Sequence, residues 1–130
     1  MSLERVRRWV ESMPAVARKL PLIHHAGRYW TPEEILEEVS RCPTCPLAME
    51  LQRMLEMRAL GQNTDITALA KERLLRLLEI QPVEIITMAL GMPAVLSAEQ
   101  LRREIETEGT LGSSLISIEK RRVVELLSRF

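Results

Sequence analysis

The sequence lacks any apolar run that approaches the roughly 18 residues needed to span a membrane. Its first ten residues, MSLERVRRWV, alternate charged and apolar side chains, whereas a signal peptide needs an uninterrupted apolar stretch. We therefore expect a soluble, cytoplasmic protein with no membrane partner. Internal repeats, low-complexity tracts and long linkers are also absent from the sequence, which predicts a single helical domain over residues 1–130.

The chain also has no net charge, because 18 basic side chains balance 18 acidic ones. No global field exists to attract a polyanion, so binding to nucleic acid would need local segregation of charge. Asp65 is the only aspartate, whereas glutamate and arginine are abundant. Both are good helix formers, and this bias favours helix at exposed positions. Abundant charge with little asparagine is also typical of thermophilic proteins.

Motifs for catalysis and nucleotide binding are missing from the sequence. It contains no G-x-S-x-G motif, no Walker motif and no glycine-rich nucleotide loop. A Ser-His-Asp triad would have to use Asp65, at a predicted helix start, and no other feature points to it. We assign no catalytic residue and expect a protein that acts by binding.

What the sequence does have is apolar residues that recur every three to four positions. This periodicity predicts an all-α fold, a compact bundle of about six helices. Residues 20–30 are expected to form a short extended or β segment with a turn at Gly27, and a few residues near Leu115 are a weaker β candidate. The predicted helices cover residues 3–13, 32–41, 47–60, 64–79, 83–90, 98–108 and 117–130.

Several residues mark helix ends. Thr31 and Glu34, with Pro32 between them, predict a capping box, and the segment 97–100 repeats the pattern. Asn63 or Thr64 is expected to cap the helix that follows. Gly61 is expected to end helix 47–60.

Helix 47–60 carries apolar side chains on nearly two faces, with Met49, Met57 and Leu60 lying off the main stripe. The simpler explanation is a central helix packed on both sides. The alternative is a partner-binding surface formed by these three residues, since methionine side chains adapt to varied partners. Burial of both methionines would favour the first explanation. Together with the thin apolar seam of helix 98–108, the two-sided helix suggests a homo-oligomer or a protein partner.

Arg73 falls inside the apolar arc of helix 64–79. Such an arginine most often extends past the apolar stripe to reach water. A buried carboxylate partner or a contact between subunits is the alternative.

Cys42-Pro-Thr-Cys45 lies between two predicted helices, and His24 and His25 lie upstream. Two thiolates and two imidazoles would satisfy tetrahedral zinc, but adjacent histidines in an extended strand point to opposite faces. The two cysteines would equally form a structural disulfide. Thiol-exchange catalysis fits less well, because a helix comes before the pair where thioredoxin-like folds have a strand. The remaining alternative is two buried, reduced thiols.

The order of a helix, an extended segment at residues 22–30, a capped helix, a tight turn and a second helix is similar to the first part of a winged helix-turn-helix. The helix-turn-helix-like element would span residues 31–60. The second helix offers Arg53 and Arg58 as candidate contacts to nucleic acid, and Arg121 and Arg122 form a further basic cluster. Against this, no wing is predicted to follow, and nearby glutamates neutralise the basic residues. Nucleic-acid binding is therefore our second functional hypothesis, and a zinc- or disulfide-stabilised protein is the third.

Overall fold

The computed structural model describes residues 3–60, 65–81 and 96–130. In these ranges the chain forms six α-helices, a 3-10 turn at Ala17–Lys19 and a two-stranded antiparallel sheet. The predicted helical class with a short β segment is confirmed. Predicted helix 83–90, the cap candidates Asn63 and Thr64, and Gly61 lie outside the described residues. The elements are α1 (Leu3–Glu11), β1 (Ile23–His25), β2 (Arg28–Trp30), α2 (Pro32–Arg41), α3 (Pro46–Glu56), α4 (Ile66–Ile80), α5 (Ala98–Glu106) and α6 (Thr110–Ser128).

Strands β1 and β2 form a hairpin in the segment that was expected to be extended. Ile23 pairs with Trp30 and His25 pairs with Arg28. The two turn residues between the strands have positive φ angles, 54° at Ala26 and 77° at Gly27. Two such residues suit the right-handed twist of a tight hairpin, so the predicted turn at Gly27 is confirmed.

Helix starts follow the predicted capping chemistry closely. The Thr31 hydroxyl accepts a hydrogen bond from the Glu34 amide at 3.1 Å, and the Thr31 amide donates to the Glu34 carboxylate at 2.9 Å. A second capping box joins Ser97 and Gln100. Helix α4 is capped by Asp65, whose carboxylate accepts from an amide two residues on, so the choice of Asn63 or Thr64 was wrong. Aspartate serves equally well at this position.

Helix α3 ends at Glu56, four residues earlier than predicted. Arg58 adopts a left-handed conformation with φ of 54°, and the Ala59 amide donates to the Met54 carbonyl at 2.8 Å. This pattern of bonds ends a helix and usually uses glycine at the left-handed residue. Because an arginine occupies that position, the early end could not be predicted from the residue types.

Helix α6 begins at Thr110 and not at residue 117, and the β segment suggested near Leu115 is therefore wrong. Gly112 lies inside α6, at the point where this helix packs closely against the end of α5. A Cβ atom at this position would collide with the backbone carbonyl oxygen of Glu104. The glycine thus permits a close helix contact, which sequence pattern alone does not distinguish from a turn.

The described core has two apolar clusters, and α6 spans both. Its C-terminal half packs with α1, the hairpin, α2 and α3, while its N-terminal half packs with α4 and α5. Two of the three residues in the thin seam of α5 are buried, since Leu101 and Ile105 are each 1% exposed, while Ala98 is exposed. None of the described helices is both long and apolar enough to cross a membrane.

Candidate functional site

The outer face of α3 exposes two large apolar side chains. Met49 is 56% exposed and Met57 is 64% exposed, so the explanation of a central helix packed on both sides is wrong. The helix buries one face only, through Ala48, Leu51, Gln52, Met54 and Leu55. Of the two explanations for this helix, exposure of both methionines leaves the partner-binding surface.

Between the two methionines lies an ion pair that is local to the helix. The Arg53 guanidinium donates to both carboxylate oxygens of Glu50, and its third nitrogen lies 2.9 Å from the Met57 sulfur. The hydrogen bond from Arg53 lowers the pKa of Glu50, which keeps this carboxylate ionised. We call Met49, Glu50, Arg53 and Met57 the α3 face. It combines an apolar contact at each end with paired charges in the middle.

Leu60, the third predicted partner-binding residue, lies beyond the end of α3. Its side chain is half-buried and packs against the larger core cluster. Its carbonyl accepts a hydrogen bond from the His24 amide at 2.8 Å, which attaches the segment after α3 to the hairpin. Leu60 is therefore separate from the α3 face.

Cys42 and Cys45 are joined to each other by a disulfide at the junction of α2 and α3. The His24 ring packs edge-on against Tyr29 at 5.0 Å, and the His25 carbonyl accepts from the Trp30 indole. Over residues 3–60, 65–81 and 96–130, no three His, Cys, Asp or Glu side chains are grouped so that they could hold a metal ion. The zinc site stays a prediction.

Reduction of the Cys42–Cys45 disulfide is expected to lower the free energy of unfolding by no more than about 2 kcal/mol. The reason is that the bridge closes a loop of only four residues, so it removes little entropy from the unfolded chain. Urea denaturation with and without a thiol reductant measures the change. The double variant Cys42→Ser/Cys45→Ser should match the reduced chain. A much larger loss of unfolding free energy that appears only when a zinc chelator is present would point to the metal site instead.

The candidate contacts to nucleic acid are divided between two helices. Arg53 and Arg58 lie at the end of α3 and just after it, while Arg121 and Arg122 are exposed on α6. Helices α2 and α3 do form a two-helix unit with a four-residue connection. However, Arg53 is bound to Glu50, and Arg122 lies 3.4 Å from the Glu119 carboxylate. Such pairing reduces the positive charge available to phosphates, and nucleic-acid binding stays a prediction.

Arg73 does not extend to solvent, because it is buried against a carboxylate on α6. Arg73 and Glu119 are each 2% exposed, and the Arg73 Nε donates to Glu119 at 2.8 Å. A second guanidinium nitrogen donates to the Pro21 carbonyl at 2.8 Å. Burial lowers the pKa of Arg73, and the Glu119 charge opposes this shift. The pair joins α4 and α6 to the segment before the hairpin, at the boundary between the two core clusters.

A cavity of about 400 Å³ adjoins this pair. Its wall is formed mainly by apolar side chains from α4, α5, α6 and residues 14–20, and the described part of this wall includes no residue of α3. Arg73 and Glu119 contribute the buried polar part of the wall, while Gln81, Arg122 and Arg129 add polar groups. Its volume lies in the range of pockets that bind small molecules, about 300–1,000 Å³.

The alternative of a buried carboxylate partner for Arg73 is confirmed, and the partner, which was not predicted, is Glu119. A signal for both exists, because each occupies a position that helical periodicity assigns to an apolar face. Glu119 lies three residues after buried Ile116 and four before buried Val123. A charged residue inside each of two apolar stripes, with opposite signs, indicates a buried ion pair.

We found no match for this chain among protein-family models, curated proteins or solved structures.

Proposed function

We propose that this protein is a non-enzymatic interaction module that self-associates through the α3 face. The observation that carries the proposal is the exposure of Met49 and Met57 on one helix whose other face is buried. Solvent-exposed methionines are adaptable, polarisable contacts, and they are enriched where proteins meet partners.

A second copy of the chain is the occupant that suits this face best. Met49 and Met57 lie about 12 Å apart along the helix axis, at equal distances on either side of Arg53. Antiparallel packing of two α3 helices about a two-fold axis near Arg53 therefore sets Met49 of one copy against Met57 of the other. The same pairing brings Glu50 of each copy within reach of Arg53 of the other. Because the chain has no net charge, long-range repulsion does not oppose the approach.

The dimer is expected to be weak. Complete burial of a methionine is worth roughly 1.5–3 kcal/mol, and each of these side chains is already about half-buried. Four methionines in a two-fold interface thus contribute about 4 kcal/mol, which offsets only the lower end of the roughly 4–15 kcal/mol that two proteins lose in translational and rotational freedom on association. The net binding free energy must therefore come from the surrounding surface and the exchanged ion pairs, and we expect a Kd of about 0.1–1 mM.

Sedimentation equilibrium from micromolar to millimolar concentration tests the proposal. We expect the double variant Met49→Gln/Met57→Gln to weaken association at least tenfold, because glutamine keeps the side-chain length but loses the apolar contact. Val124→Gln is the matched control, since Val124 is 59% exposed on a different helix, α6. Circular dichroism should show that both variants keep their helices.

Two results would contradict the proposal. One is a wild-type chain that stays monomeric at millimolar concentration, which would leave the α3 face to a different protein. The other is an equal loss of association in Val124→Gln, which would place the interface on α6.

A further inference from the structure

A second feature of the structure, separate from the α3 face, is the cavity between α4, α5, α6 and residues 14–20. Its wall resembles that of a small-molecule site. Leu74, Leu77, Leu101, Ile105 and Leu115 contribute apolar wall, and the buried Arg73–Glu119 pair lies beside them. Apolar walls with a few fixed polar groups are typical of sites for small molecules.

The charged residues that the structure describes around the cavity do not balance. Glu125 and Arg129 are paired with each other at 2.5 Å. The remaining carboxylate, Glu119, is shared by two guanidiniums, with Arg73 at 2.8 Å and Arg122 at 3.4 Å on its other oxygen. Two cations against one anion leave one positive charge without an equal partner among the described residues that line the cavity.

Of the two guanidiniums beside Glu119, that of Arg122 is the one that a ligand can reach. Its side chain is 51% exposed, and its contact with Glu119 is long for a charge-assisted hydrogen bond. Arg73 in contrast is buried and already bonded to both Glu119 and the Pro21 carbonyl. Among the causes that lower the pKa of Arg73, burial is the largest, and repulsion by Arg122 acts in the same direction. An added negative charge beside Arg122 would relieve that repulsion.

We propose that this cavity binds a small amphipathic monocarboxylate, with the acyl chain against the leucines of α4 and α5 and the carboxylate at Arg122. The apolar tail supplies most of the binding free energy, because each methylene buried against the leucines is removed from water. The carboxylate supplies the missing negative charge and accepts hydrogen bonds from the guanidinium. This site is independent of the α3 face, so either proposal stands if the other fails.

Isothermal titration of the full chain with three ligands of equal tail length tests the site. The probes are decanoate, decanol and decyltrimethylammonium, each used below its micelle concentration. We expect decanoate to bind one per chain, decanol about tenfold more weakly because it lacks the charge, and the cation more weakly still.

Two variants locate the carboxylate. Arg122→Gln is expected to weaken decanoate about tenfold and to leave decanol unchanged, since only the charged contact is lost. Arg121→Gln is the matched control, because Arg121 is its exposed neighbour on α6 and is not among the residues that line the cavity. This control should bind all three probes as the wild type does.

Three outcomes would overturn the proposal. Absence of heat with every probe would show that the cavity is filled by the chain itself or closed to ligands. Equal affinity for decanoate and decanol would show an apolar cavity without recognition of the carboxylate. Equal loss of decanoate binding in Arg121→Gln and Arg122→Gln would show general attraction to basic residues of α6 and no defined site.

Discussion

Replacing Glu119 with leucine is expected to lower the free energy of unfolding by about 3–5 kcal/mol. The substitution leaves the Arg73 guanidinium 2% exposed without its carboxylate, and an unpaired buried charge is among the most costly changes a protein can carry. For a domain with the usual stability of about 5–15 kcal/mol, this is a large fraction of the total. Urea denaturation followed by circular dichroism measures it.

The double variant Arg73→Met/Glu119→Leu removes both charges. Its free energy of unfolding shows how much of the loss in Glu119→Leu comes from leaving Arg73 unpaired and how much from losing the ion pair itself. Removing both charges together should cost only about 1–2 kcal/mol, chiefly because the Pro21 carbonyl loses its donor. Glu125→Gln serves as the control on the same helix, since it breaks an exposed pair with Arg129 that is worth about 1 kcal/mol at most. If the double variant were as unstable as Glu119→Leu, the single loss would reflect packing and not the unpaired charge.

Substituting alanine for Gly112 is expected to destabilise the chain by about 3 kcal/mol, the upper part of the usual range for overpacking. Within an ordinary helix the same change stabilises by about 0.5–1 kcal/mol, because alanine loses less backbone entropy on folding. Here the added Cβ would meet the Glu104 carbonyl oxygen and approach the Ile105 Cα at 3.1 Å. Both contacts are backbone, so they cannot be relieved by turning a side chain.

The sign of the Gly112→Ala effect is therefore diagnostic of close packing between α5 and α6. Thermal unfolding of Gly112→Ala beside Ser114→Ala makes the comparison, because Ser114 is exposed on the same helix and its replacement should change stability by less than about 0.5 kcal/mol. A Gly112→Ala chain that is as stable as the wild type would mean that α6 does not pack against α5 as described.

Much of the fold could be predicted because it depends on local chemistry. The start of α2 follows from Thr31 and Glu34, and the start of α5 follows from the same pattern at Ser97 and Gln100. The turn at Gly27 follows from the residue that best tolerates a positive φ. Each of these features is encoded within a few neighbouring residues.

What could not be predicted depends on contacts between distant parts of the chain. A glycine at position 112 is as compatible with a turn as with a helix, and only the approach of Glu104 shows that it permits a close crossing. Arg58 is an unfavourable residue for the left-handed end of α3, and the pairing of Leu60 with β1 accompanies that end. The partner of Arg73 lies 46 residues away, on a different helix.

The candidate sites also differ in how far the sequence predicts them. Periodicity placed Met49 and Met57 off the main apolar stripe of their helix, and the structure exposes both. Whether such residues meet another element of the same chain depends on the arrangement of all the helices, which periodicity does not specify. The cavity beside Arg73 and Glu119 could not be predicted, because its wall comes from four separate segments.

Methyl NMR of the chain with isotope-labelled methionine methyl groups tests most directly whether the α3 face is where two copies meet. If it is, the Met49 and Met57 signals shift together as the concentration rises from about 20 µM to about 1 mM, roughly the span over which the expected dimer forms. Met54, which is 4% exposed on the buried side of the same helix, should stay unchanged. Signals of Met49 and Met57 that do not move over this range, or that move no more than that of Met54, would contradict self-association through the α3 face.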